Sequence, residues 1–134
     1  LMLVLATRSD KHRERRWHLI IPLFTAGVCI AIAARFLDNT FITLALLTVA
    51  NACIFASFPV FWAIPGSLLK GRAAAAGIAL INSVANLGGF FATFLIGWIK
   101  DATHSVSAGL VVFAGLAMLG CLLTFLLPAR ITNR

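Results

Sequence analysis

Acidic side chains are nearly missing from this sequence. Only four of its 134 residues are Asp or Glu, and charged residues of both signs make up 11% of it. A soluble domain carries about a quarter charged residues and roughly 45–50% apolar ones. Here 61% are apolar and the mean hydropathy is +1.02. Folded in water, such a chain could not cover its own surface with polar groups; a lipid solvent removes that difficulty. The four acids (Asp10, Glu14, Asp38, Asp101) and the three histidines (His12, His18, His104) lie in short polar segments or at their edges. None is expected at mid-membrane depth. That argues against an intramembrane enzyme, whose chemistry needs acids, bases or metals inside. It also leaves no buried carboxylate or histidine for a proton relay of the kind pumps and symporters use. The histidines show no ligand-like spacing, so neither a metal nor another cofactor is expected.

Three further absences narrow the class. No stretch alternates apolar and polar residues over strand length, which disfavours a membrane β-barrel. The three cysteines, Cys29, Cys53 and Cys121, fall on three different apolar stretches. An odd count at such positions points to small apolar packing residues rather than a disulfide framework. The sequence opens on Leu rather than Met, and no basic flank and cleavage site frame residues 1–6 as a signal peptide. The expectation is a fragment whose N-terminal part is missing, with residues 1–7 as the end of a preceding helix.

What is present is apolar length. A spanning helix needs roughly 20 mostly apolar residues, and four stretches meet that: 18–37, 41–69, 73–99 and 106–127. Between them lie a basic loop at 8–17, a tight turn at Asp38-Asn39-Thr40 suited to capping the next helix, two short loops and a tail at 128–134. The positive charge is one-sided. The segment 8–16 holds five of the eleven basic residues, Lys70 and Arg72 join the second and third spans, and Arg130 and Arg134 follow the fourth. Alternating sides collects nine of the eleven on one face, leaving Arg35 and Lys100 on the other, each near an acid. The positive-inside rule makes the nine-residue face cytoplasmic, so that the basic loops and the C-terminus lie inside. Placed this way, the net charge of +7 belongs to membrane topology and not to nucleic-acid binding.

Within the spans, a few residues invite a functional reading beside a plainer one. Trp17, Trp62 and Trp98 sit near span ends, where an aromatic belt accounts for them; Trp62 could instead line a cavity. Pro59 and Pro65 fall near the cytoplasmic end of the second span. Proline inside a helix deletes a hydrogen bond and clashes with the preceding turn, so this span is expected to kink, either as a gate or as static packing. Spans one and four carry no buried amide or charge and look like scaffold, with Gly109, Gly115 and Gly120 allowing close contacts in the last. The third span aligns Ala75, Ala79, Asn82, Asn86, Gly89, Thr93 and Gly97 on one face at steps of three and four. Two amides one turn apart are costly against lipid. They either bond across helices, for about 1 kcal/mol each, or line a polar cavity and hydrogen-bond a solute such as a small organic anion. Asn51, between Thr48 and Phe55 on the second span, is a third candidate, with packing as its plainer role.

The stretch Ala73-Ala74-Ala75-Ala76-Gly77-Ile78-Ala79, with Asn82-Ser83 and Asn86-Leu87-Gly88-Gly89-Phe90 after it, lies in a segment (61–90) that resembles the tenth-to-eleventh helix region of the major facilitator superfamily. More closely, it is similar to the anion:cation symporter family, which includes bacterial tartrate, phthalate and hydroxyphenylacetate carriers. The loop 9–17 is similar to that family's loop between helices eight and nine. Ala85 and Phe91-Ala92-Thr93 depart from the pattern, the latter replacing a Gly-Pro pair that would interrupt the helix. Lys11 stands where Arg is usual, forfeiting bidentate bonding. The resemblance implies an all-α membrane protein, with the four spans equivalent to helices nine to twelve of twelve and the other half of the central cavity supplied by the missing N-terminal part. It further implies a bacterial inner-membrane carrier working by alternating access, proton-coupled, with a small organic anion and H+ as its partners. Carried onto this sequence, Asn86 and with it Asn82 would contact substrate, and Asp10, pairing with arginines such as Arg15 and Arg16, would form a conformational latch; read from the residues themselves, Asn51 is a further substrate candidate and Pro59, Pro65 and Trp62 are the gating candidates. The alternative reading is a small four-helix membrane protein acting as an assembly or interaction subunit without transport.

Overall fold

The computed structural model describes residues 15–68 and 71–127. The expected helix tail at 1–7, most of the basic loop with Asp10, and the tail at 128–134 lie outside them. Four helices follow one another: α1 Arg15–Ala33, α2 Thr40–Leu68, α3 Arg72–Thr103 and α4 Val106–Leu126. Each contains a window long and apolar enough to cross a bilayer, and among the described residues there is no strand. The all-α, four-span expectation holds.

The helix ends differ from the hydropathy bounds where local chemistry takes over. Arg15, Arg16 and Trp17 open α1 rather than ending a loop. At its other end α1 stops at Ala33, short of Leu37, because the chain tightens into consecutive turns. Arg35 N–H donates to the Ile32 carbonyl at 2.9 Å and Phe36 N–H to that of Ala33 at 3.1 Å. The Thr43 hydroxyl then reaches back to the Phe36 carbonyl at 2.6 Å, and Asn39 Oδ1 accepts the Ile42 N–H at 3.2 Å, capping α2. The third helix runs one turn past Ile99. It ends where His104 takes a left-handed conformation (φ 52°), and Ser105 at once caps α4 by accepting the Ala108 N–H. The second helix continues through both Pro59 and Pro65, and Pro22, which hydropathy does not single out, is accommodated inside α1.

The first helix is the hub. It packs along both α2 and α4, whereas α3 leans on α4 and barely touches α2. The centre of the hub is made of small residues: Ala26, Ala50 and Ala114, with Ile30, form the buried cluster. Small side chains let helix backbones approach closely, which is how helices associate where lipid supplies no hydrophobic drive. Two glycines mark such approaches. A methyl group on Gly27 would meet Met118 of α4, and one on Gly109 would sit 3.2 Å from Ile96 of α3. Gly115 and Gly120, expected to serve the same purpose, have nothing within 4 Å. Both ends of the antiparallel α1/α4 pair are tied. The Arg16 guanidinium donates to the Phe125 carbonyl and lies 4.6 Å over the Phe125 ring, while Ser107 Oγ donates to the Ala34 carbonyl at 2.8 Å.

Candidate functional site

The third helix buries none of its apolar window against the other three. Its inward side is a line of half-buried positions, Ala74, Gly77, Ile81, Ala92, Ile96 and Ile99. At about 100° per residue, Asn82, Asn86 and Thr93 project about a quarter-turn to one flank of that line, and Leu80, Leu87, Phe91 and Trp98 to the other. Both asparagines are exposed. This helix therefore presents two unlike faces outside the fold, one polar and small and one large and aromatic.

The Thr93 hydroxyl is turned back on its own helix, donating to the Gly89 carbonyl at 2.9 Å, as Thr48 does to Leu44 at 2.7 Å. Such back-bonding satisfies a hydroxyl in an apolar solvent without a partner helix. The exposed amides of Asn82 and Asn86 each carry both donors and an acceptor, so they can pair with a polar group outside the four helices.

Between α3 and the other helices runs an apolar seam. A cavity of about 630 Å³ is bounded by Leu23, Ile54, Gly88, Ala92, Ile96 and Phe113 among others. A second, of about 280 Å³, shares Ile54, Ile96 and Phe113 and adds Asn51. A third, of about 300 Å³, lies at the basic end, where Pro65, Ile64 and Phe61 of α2 face Ile81.

The structure does not gather the candidate residues into one site. Asn51 opens on the seam at the level of Ile96, and Asn82 and Asn86 lie 10 or more residues away along α3, about 15 Å of helix rise or more. Pro65, which is buried, sits across from Ile81, the neighbour of Asn82. Trp62 is half-buried and packs edge-on against Phe61 at 5.5 Å. Pro59 is half-buried. Asp10 lies outside the described residues, Arg15 opens α1, and Arg16 is engaged with the end of α4. Sequence reasoning missed that last contact: an arginine at one helix start and a phenylalanine at a distant helix end carry no local pattern linking them. Among the described residues no group of three or more His, Cys, Asp or Glu is placed to hold a metal ion.

Comparison with known proteins finds transporters among the relatives. The chain is 43% identical over 133 residues to a Pseudomonas putida protein carrying the provisional name metabolite transport protein NicT; the match covers 99% of this chain and 30% of that protein. It is 44% identical over 126 residues to a protein of Agrobacterium vitis provisionally named a tartrate transporter, covering 94% of this chain and 28% of the relative. To the quinolone resistance transporter of Acinetobacter baumannii it is 38% identical over 133 residues, 99% of this chain and 30% of the relative. No family model and no solved structure matches. The chain thus spans less than a third of the length of these relatives, which are named as transporters and not as enzymes. With four helices fit to cross a membrane and transporters as relatives, it is an integral membrane protein.

Proposed function

We propose that this chain is the C-terminal third of a major-facilitator-type secondary transporter, its helices equivalent to nine to twelve of twelve, in a bacterial inner membrane with the basic loops inside. The observation that carries the reading is α3: a membrane-length helix with none of residues 73–103 buried, bearing two exposed amides on a small-residue face. Amides are costly in lipid, so that face needs a polar surface from elsewhere in the protein or a water-filled cavity. A carrier whose other half closes around a central cavity supplies both. The near end-to-end similarity to named transporters supports the same reading.

The transported solute is a small organic anion. Asn86, with Asn82, hydrogen-bonds its carboxylate or hydroxyl groups, since a neutral amide donates and accepts without fixing a charge. The name of the Agrobacterium vitis relative, a tartrate transporter, supports that substrate class. Asn51 contributes at a different depth of the same pathway. Pro59, Pro65 and Trp62 form the gating end of α2; Asp10, Arg15 and Arg16 bias the conformational equilibrium at the cytoplasmic face, as any contact made in one state only must. Proton coupling relies on carboxylates of the N-terminal part.

The test is uptake by the full-length carrier in membrane vesicles. Asn86→Ala is expected to cut organic-anion uptake about tenfold, the worth of roughly 1.4 kcal/mol, at unchanged protein level. Undiminished uptake overturns the role of Asn86. A protonophore is expected to collapse accumulation; accumulation that follows a sodium gradient instead overturns the coupling assignment.

A further inference from the structure

The cavity of about 300 Å³ at the basic end is walled by all four helices: Leu19 of α1, Ile64 and Pro65 of α2, Ile81 of α3, and Thr124 and Leu127 at the end of α4, among others. Leu19 and Pro65 are buried, whereas Phe61 and Leu127, which also line it, are each 43% exposed, so the cavity has a closed floor and an open rim. Among its described lining residues Thr124 alone has a polar side chain. That hydroxyl is spent on its own helix, donating to the Gly120 carbonyl at 2.8 Å. Such a lining offers little to water and suits hydrocarbon.

Positive charge lies at the same end. Arg16 is three residues, about 4.5 Å of helix rise, before Leu19. Its guanidinium donates to the carbonyl of Phe125, which stands between the lining residues Thr124 and Leu127. The guanidinium is thus set beside the cavity by both α1 and α4. By the alternation of the spans, the segments at this end hold nine basic residues and two acids, Asp10 and Glu14, and so carry the whole net charge of +7. At the opposite end Arg35 and Lys100 are balanced by Asp38 and Asp101.

We propose that this cavity seats one acyl chain of an anionic phospholipid from the surrounding bilayer, with its phosphate on the Arg16 guanidinium. An apolar cavity beside a cation matches a molecule that joins hydrocarbon to negative charge, and basic pockets between spanning helices suit such headgroups. A guanidinium carries five donors in a planar fork, so it can hold a carbonyl and a phosphate oxygen together. A chain seated here touches α1, α2, α3 and α4 at once and fastens α3 to the other three. The site rests on the membrane setting of the four helices and not on the transport reading.

The experiment uses the full-length protein in detergent, incubated with phosphatidylglycerol, phosphatidylcholine or oleate and read by native mass spectrometry. One phosphatidylglycerol per protein is expected to be retained, about tenfold over phosphatidylcholine. Thr124→Trp, which fills the cavity, should abolish retention, and Arg16→Gln should remove the preference for the anionic head. In the unsubstituted protein, phosphatidylglycerol with a photoactivatable acyl chain should label the segments carrying Ile81 and Thr124. Equal retention of phosphatidylcholine, oleate held in place of phosphatidylglycerol, or chain label confined to Phe90 and Phe94 on the outward face of α3 would each overturn the site. So would a protein that retains no lipid because another of its helices, or a second copy, fills the cavity. The labelling decides the matter even if a variant folds poorly.

Discussion

Arg16 illustrates what one side chain does at a helix end. The last carbonyls of α4 have no partner within their own helix, and a cation near a helix C-terminus is favoured by the macrodipole. The Arg16 guanidinium meets the Phe125 carbonyl and at the same time stacks over the Phe125 ring. An ammonium on a flexible stem does not reproduce that planar contact. Arg16→Ala is expected to destabilise the chain in detergent by about 1 kcal/mol, with Arg16→Lys recovering only part of it. A double-mutant cycle with Phe125→Leu, read from thermal unfolding, should give a coupling of about 0.5 kcal/mol or more; additive effects would show that the stacking contributes nothing. Asn39 makes the opposite lesson in legibility. Its cap on α2 could be read from three consecutive residues, because capping is local. Asn39→Ala should cost about 0.5–2 kcal/mol in the same measurement. The Arg16 contact joins residues at the two extremes of the described chain, and only the antiparallel closure of α1 on α4 brings them together.

At the scale of the element, hydropathy located all four helices because the bilayer fixes their length, and it erred at their ends because turns and caps, not hydropathy, stop a helix. The Phe36–Thr43 hydrogen bond and the tightened turns after Ala33 are such stops. The glycines show the same division. Nothing in the sequence separates Gly109 from Gly115 and Gly120, yet only the first meets a neighbouring helix, since contact depends on how α3 lies on α4. Gly109→Leu should force α3 away from α4 and lower stability by about 1–3 kcal/mol through overpacking, whereas Gly115→Leu should leave the melting temperature nearly unchanged. The stripe of small and polar residues on α3 was legible from period alone; that it would lie to one flank of the packing line, with an aromatic flank opposite, was not.

For the whole molecule, the sequence carried the membrane class, the span number and the kinship with transporters. It could not show that Asn51 lies at a different depth from Asn82 and Asn86, because depth along a bundle depends on the register of separate helices. Two outcomes follow at this scale. The 134-residue chain alone, reconstituted in vesicles, is expected to show no saturable uptake of organic anions, because the proposed function puts half of the cavity outside these residues. In the full-length protein, a Gly71→Cys variant should react with an impermeant maleimide only from the cytoplasmic side and a His104→Cys variant only from the outside; the reverse pattern would invert the topology.

The two fastenings of α1 to α4, one at each membrane surface, carry a mechanical consequence. In this conformation the two fastenings hold α1 along α4 at both tips, so that these two helices form a single strut. The third helix packs more loosely, through half-buried positions such as Ile81 and Ile96, the latter close to Gly109. Under the proposed function, a stroke within the bilayer would fall on the looser packing of α3, with the α1/α4 strut as the frame against which it moves.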